Sequence, residues 1–222
     1  MTFPNAAKGI KTLFIGEILA LISAISIACS IIFSKPVVSG DQVVDFAATG
    51  GQITMVAILL SVGGIIAIVA YIMQLVGIAK AARDEEAFKG ALYLILFSVL
   101  LSIAGAVLAY IFPTNNLLSG VGTVGTNIIE ILVTFLIIGG IGTLGAKLND
   151  ATLQEKAAKL LGIIMTVIVL RLIANIVILL FKESIAEVIV TILGIVILVF
   201  TIVQYIAYLS LLATAKNTLA NK

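Results

Sequence analysis

Six apolar runs, at about 12–33, 53–79, 91–112, 127–146, 160–181 and 188–213, dominate the chain. Each is long enough to cross a hydrocarbon core about 30 Å thick as a helix, which takes about 20 residues. A segment surrounded by lipid must satisfy its own backbone hydrogen bonds, so helix is the form such runs take. The expected fold is all-α: a polytopic membrane protein forming one transmembrane domain over residues 1–222, a bundle of six transmembrane helices. Composition agrees, since 62% of the 222 residues are hydrophobic and only 11% are charged. Soluble domains hold about 45–50% and about 25%. The second and sixth runs exceed what a bilayer needs, which implies tilt or extension beyond it. Only KESIAE, residues 182–187, separates the last two runs, so a tight antiparallel hairpin is expected there.

Lys and Arg set the orientation. Lys8, Lys11, Lys80, Arg83, Lys89, Lys147, Lys156, Lys159, Lys216 and Lys222 fall on one side of the six runs, and only Lys35 and Lys182 on the other. Loops rich in Lys and Arg stay cytoplasmic. Both termini are therefore expected inside, in a membrane read as a prokaryotic cytoplasmic one. Phe33, Phe112 and Phe181 end the odd-numbered runs on the outer side, as an interfacial aromatic belt would. Lys8 and Lys11 before an apolar run suit a secretory signal, but the run is long and Glu17 interrupts it, so an uncleaved helix is expected.

The chain has no histidine and one cysteine, Cys29. The commonest general base and metal ligand are thus missing, as are a Cys/His zinc site, an intrachain disulfide and a C-x-x-C redox pair. No enzyme activity, catalytic residue, metal or cofactor is expected. No basic cluster is dense enough for nucleic acid. The expected partners are the lipid bilayer and either further copies of the chain or another membrane subunit.

Charge within a span is costly, about 2.5–3.5 kcal/mol on insertion scales, and marks a functional candidate. Three such residues occur: Glu17, Glu130 and Arg171. Arg171 stands near the middle of the fifth run and shares a helical face with Asn175. Measured from the ends of the runs, each glutamate lies about 9 Å from Arg171 in depth. Hairpin adjacency favours Glu130 as its partner, and side-chain direction favours Glu17. Gln74 and Gln204, with Tyr71 and Tyr205, hold matching places in the second and sixth runs. Arg171, Asn175, Glu17, Glu130 and Gln204 form the candidate substrate or ion site of a small transporter or channel-like subunit. A buried Arg–Glu pair that fixes helix register is the structural alternative.

Aligning Phe33, Phe112 and Phe181 stacks Ser26, Gly105 and Ala174 seven residues earlier, and Ser23, Ser102 and Arg171 ten residues earlier. YIMQLVGIAKA (71–81) echoes YIAYLSLLATA (205–215) in the even runs. Three duplicated hairpins would explain both, with a site near the midplane where repeats meet. Small residues recur every fourth position at Ala20, Ala24, Ala28 and at Ser98, Ser102, Ala106, a pattern of close helix packing. The glycines Gly63, Gly64, Gly139, Gly140, Gly142 and Gly145 suit packing, or a hinge in spans two and four.

The outer segment 113–127 reads as a flexible loop. Its Thr123-Val124-Gly125 matches the start of a potassium-channel filter, without the aromatic and second glycine. Segments 80–90 and 147–159 mix both charge signs and read as solvated helix extensions, or as a docking surface for a soluble partner such as an ATPase. Thr152 to Glu155 has the form of a capping box. In its six-helix topology and the Ala-x-x-x-Ala pattern of its first helix, the chain resembles the substrate-binding subunit of energy-coupling-factor vitamin importers. That resemblance carries no site residue across. The second functional reading is a non-transporting scaffold, assembly subunit or immunity-type protein acting through helix–helix contacts.

Overall fold

The computed structural model describes the backbone of residues 3–34, 37–39, 42–44, 50–111, 116–180 and 183–220, and side chains at 3–31, 54–108, 110–111, 125, 128–173, 189 and 191–220. Six helices carry the chain: α1 (Pro4–Ser34), α2 (Gly50–Ala81), α3 (Glu86–Ile111), α4 (Asn116–Lys147), α5 (Ala151–Leu180) and α6 (Glu183–Ala220). Five contain stretches long and apolar enough to cross a membrane: Pro4–Ile31, Thr54–Ala81, Glu86–Leu108, Ile128–Lys147 and Thr191–Ala220. That is compatible with a membrane location. The expected fifth span is present as α5 but is not among the five, because Glu155, Lys156, Lys159 and Arg171 fall within its described part.

Two elements depart from expectation. Residues 37–44 contain an antiparallel ribbon, β1 (Val37–Ser39) and β2 (Gln42–Val44), pairing Val37 with Val44 and Val38 with Val43. Paired β-branched residues flanking Gly-Asp are a hairpin signal hidden between the larger apolar runs. The second departure is the segment read as a flexible loop over 113–127, of which residues 116–127 are the first turns of α4. The Thr-Val-Gly triplet is thus helical and not an extended filter strand. Its glycines weaken helix locally, but Leu117, Leu118, Val121 and Val124 keep the stretch apolar, where helix alone satisfies the backbone.

The chain divides into two compact units, Lys11–Gly77 and Met1–Ile10 with Ile78–Lys222. In the first, α1 and α2 meet through small residues. Gly16 lies against Ala70 and Gln74, Gly63 lies against Ile27, and the Ser23 hydroxyl donates to the Gly63 carbonyl at 2.8 Å. Helix α2 runs unbroken through Gly63 and Gly64; Gly63 serves packing, whereas a Cβ at Gly64 would meet nothing within 4 Å.

In the second unit α3 packs on α4, α4 on α5 and α5 on α6. Among the described residues its core gathers at the end where α1 begins, α6 finishes and the connections 82–85 and 148–150 turn. Phe88, Ile138, Ile141, Leu144, Leu153, Leu160, Leu211 and Leu212 are buried there. Gly140 admits the Phe88 ring, and Gly142 and Gly145 admit Ala157 and Leu153, again within an unbroken helix.

Charges tie this end together. The Asp84 carboxylate accepts from the backbone N–H groups of Asn5 (2.9 Å) and Ala6 (2.8 Å) and from the Asn5 amide (2.9 Å). Lys147 pairs with Glu85 at 2.6 Å and lies 6.0 Å from the centre of the Phe3 ring. After α4, Asn149 takes a left-handed conformation (φ 52°), and the N–H groups of Asn149 and Asp150 donate back to Ala146 and Gly145. This is a Schellman closure with Asn in the position glycine usually holds. Asp150 then caps α5: its Oδ1 accepts from the Leu153 N–H at 3.0 Å, and its Oδ2 accepts from Thr218 of α6 at 3.2 Å. The cap expected at Thr152 thus sits two residues earlier, because Asp is the stronger N-cap and the left-handed turn delivers it there. As expected, both mixed-charge segments extend helices. On α5, Lys159 pairs with Glu155 at 2.6 Å and holds that exposed carboxyl below its usual range.

Candidate functional site

Arg171 belongs to a buried stripe. On α5 the buried positions are Leu153, Ala157, Leu160, Ile164 and Val167, spaced alternately by four and three residues. Arg171 is the next step. At 100° per residue it is in phase with Leu153 and within about 40° of the others. Glu130 holds the same place on α4, in phase with Leu148 and close to Ile137, Ile141 and Leu144. Gln204, half-buried, is on the α6 face that becomes fully buried at Leu211 and Ala215. Yet Arg171 and Glu130 are both exposed. Arg171 lies just past Val167, the last buried side chain of α5 toward that end among the described residues, and Glu130 lies one residue inside Ile129, the corresponding one of α4.

Depth follows from the hairpin register. Gly142 faces Ala157 and Gly145 faces Leu153. Continuing that antiparallel register from Gly142 places Glu130 opposite Val169, two residues from Arg171. At 1.5 Å per residue the two charges differ in depth by about 3 Å. Measured from the ends of the apolar runs the expected difference is about 9 Å, and the register of α4 against α5 gives about 3 Å along the helices. By the same register Gln204 is nearer the charged end: Thr218 meets Asp150, which puts Gln204 about 10 Å from Arg171 in depth.

Lys147 pairs with Glu85 and Lys159 with Glu155, and no ion pair among the described residues joins Arg171 to Glu130. Glu17 is half-buried on α1 in the other unit. The Asn175 side chain lies outside the described residues. Of the five candidates, the structure thus brings Glu130 and Arg171 to one level. The three positions aligned across the odd helices differ in setting: Ser23 is buried against Gly63, Ser102 is exposed and bonds to its own helix at Ser98, and Arg171 is exposed.

Sequence reasoning passed over the two aspartates that organise the charged end, Asp84 and Asp150. It also passed over Lys156, whose ammonium donates to Thr214 at 2.8 Å and lies 3.5 Å from Ser210. The Asp150 signal was legible, since Asn-Asp ahead of an amphipathic run is an α-helix start. The Asp84 contact joins residues 79 apart in the chain, which no local pattern encodes. Among the described residues no group of His, Cys, Asp and Glu could hold a metal ion. No family model, curated protein or solved structure matches this chain.

Proposed function

We propose that this chain is a multi-pass membrane protein with both termini cytoplasmic, acting as a small transporter or channel-like subunit with a polar site at mid-depth around Arg171 and Glu130. One observation carries the reading: Arg171 continues the inward-facing stripe of α5 and is nevertheless exposed. A cation on the lipid-facing side would sit out of phase with Leu153, Leu160 and Val167. An exposed cation in phase with them faces a gap between helices, where water or a ligand can meet it. The Lys/Arg asymmetry supports the orientation. So does the gathering of the α1 start, both mixed-charge connections and the α6 end at one end of the second unit.

Thiol labelling tests the site. In a Cys29→Ser background, Arg171→Cys and Glu130→Cys should react with a membrane-impermeant methanethiosulfonate reagent. Leu172→Cys and Ile103→Cys, at exposed apolar positions, should not, because a thiol in lipid stays protonated. Arg171→Cys as inert as Ile103→Cys would sink the reading. It would favour the second one, a membrane scaffold using the exposed Ala24 and Ala28 of α1 as a packing face.

A further inference from the structure

We infer that the level of Arg171 and Glu130 takes up a short aliphatic zwitterion, its anionic group on Arg171 and its cationic group on Glu130. The inference deepens the site reading above and rests on it. Glu130 is the only charged residue between Lys89 and Lys147, Arg171 the only one between Lys159 and Lys182, and none lies between Glu187 and Lys216. The apolar depth of α3–α6 therefore contains one charge of each sign, and the hairpin register puts them within about 3 Å of one level.

That pairing constrains the occupant. A simple anion drawn to Arg171 meets the repulsion of Glu130 at the same depth, and a simple cation meets the reverse. Each also leaves one of the two charges without an opposite partner at an otherwise apolar level, which is the less favourable outcome. A ligand with one group of each sign compensates both and leaves the level neutral. The rest of the ligand meets hydrocarbon, since Ile137, Ile141, Ile164 and Val167 line the stripes toward the charged end. A branched aliphatic body fits that floor. The carboxylate would take the planar donor fork of Arg171, and the ammonium would sit on the Glu130 carboxylate.

The test uses the full chain in lipid nanodiscs, titrated calorimetrically with L-leucine, 4-methylpentanoate and 3-methylbutylamine. The three share one branched tail and carry both charges, the anion alone and the cation alone. Leucine should bind on the order of tenfold tighter than either single ion. In Glu130→Gln the preference should invert toward 4-methylpentanoate, and in Arg171→Gln toward 3-methylbutylamine. Equal binding of leucine and 4-methylpentanoate by the unaltered protein overturns the inference. So does a Glu130→Gln variant that weakens both ligands alike, the mark of a structural role. If none of the three binds while Arg171→Cys still labels, the zwitterion is wrong and the site reading stands. If Arg171→Cys does not label, both fall.

Discussion

The Asp84 carboxylate closes the N-terminus of α1 at Ala6, accepting from its backbone N–H at 2.8 Å and from that of Asn5 at 2.9 Å. The first N–H groups of a helix have no partner within it, and Pro4 removes one of them by having none. The two that remain beside it find an anion supplied by the connection between α2 and α3. The contact also satisfies the helix dipole, whose positive end sits there. A cap of this kind is worth about 0.5–2 kcal/mol, and a charged acceptor lies at the upper end.

Asp84→Ala should therefore lower the melting temperature in detergent by several degrees, at about 2–4 °C per kcal/mol for a chain of this size. Asp84→Asn, which keeps one acceptor oxygen, should lose less. Exposure of Cys29, half-buried in α1, gives a direct readout with a thiol-reactive fluorophore. Equal melting of the native protein and Asp84→Ala would show that the α1 terminus contributes nothing to the cooperative unit.

Gly140 and Gly139 are neighbours with opposite surroundings. A methyl group at Gly140 would stand 2.8 Å from the Phe88 ring, which is fully buried, whereas one at Gly139 would meet nothing within 4 Å. Gly140→Ala should destabilise by about 1–3 kcal/mol through overpacking, less up to about 1 kcal/mol of helix propensity recovered. Gly139→Ala recovers the propensity alone and should be neutral or stabilising. Thermal melts of the two variants side by side check this, and a Gly140→Ala variant as stable as Gly139→Ala would contradict the packing.

Asp150 serves three elements, closing α4, capping α5 and receiving Thr218 of α6. Asp150→Ala should cost about 1–2 kcal/mol. Thr218→Val removes one of those bonds and should cost less. Asn149→Gly should be tolerated because its φ of 52° suits glycine, while Asn149→Val should destabilise by about 1–2 kcal/mol. If Asn149→Val melts with the native protein, the left-handed turn is not required.

The six helices were legible because the apolar runs are long and hydrophobic, and backbone satisfaction in lipid leaves helix as their form. Helix ends were less legible. Segment 113–127 carries glycine, proline and asparagine and so reads as loop, yet 116–127 joins α4. Run ends alone left Glu17 and Glu130 level as partners for Arg171. Exposure of Arg171 was not legible at all. The stripe to which it belongs can be traced from Leu153 onward, but whether the neighbouring helices still cover that stripe depends on packing between elements, which periodicity does not report.

Ser23 and Ser102 test how much the aligned positions share. Ser23 is buried and donates to the Gly63 carbonyl of the neighbouring helix. Ser102 is exposed and returns its hydrogen bond to Ser98, four residues back. Interhelical hydrogen bonds in membranes average about 0.6 kcal/mol, whereas back-bonding within a helix adds nothing and slightly bends it. Ser23→Ala should therefore lower the melting point by about 1–3 °C, and Ser102→Ala should leave it unchanged or raise it slightly. Ser23→Val adds bulk against Gly63 and should cost more than Ser23→Ala. If both alanine variants lose the same amount, the two serines carry equivalent roles, and the different settings of these aligned positions would have no energetic meaning.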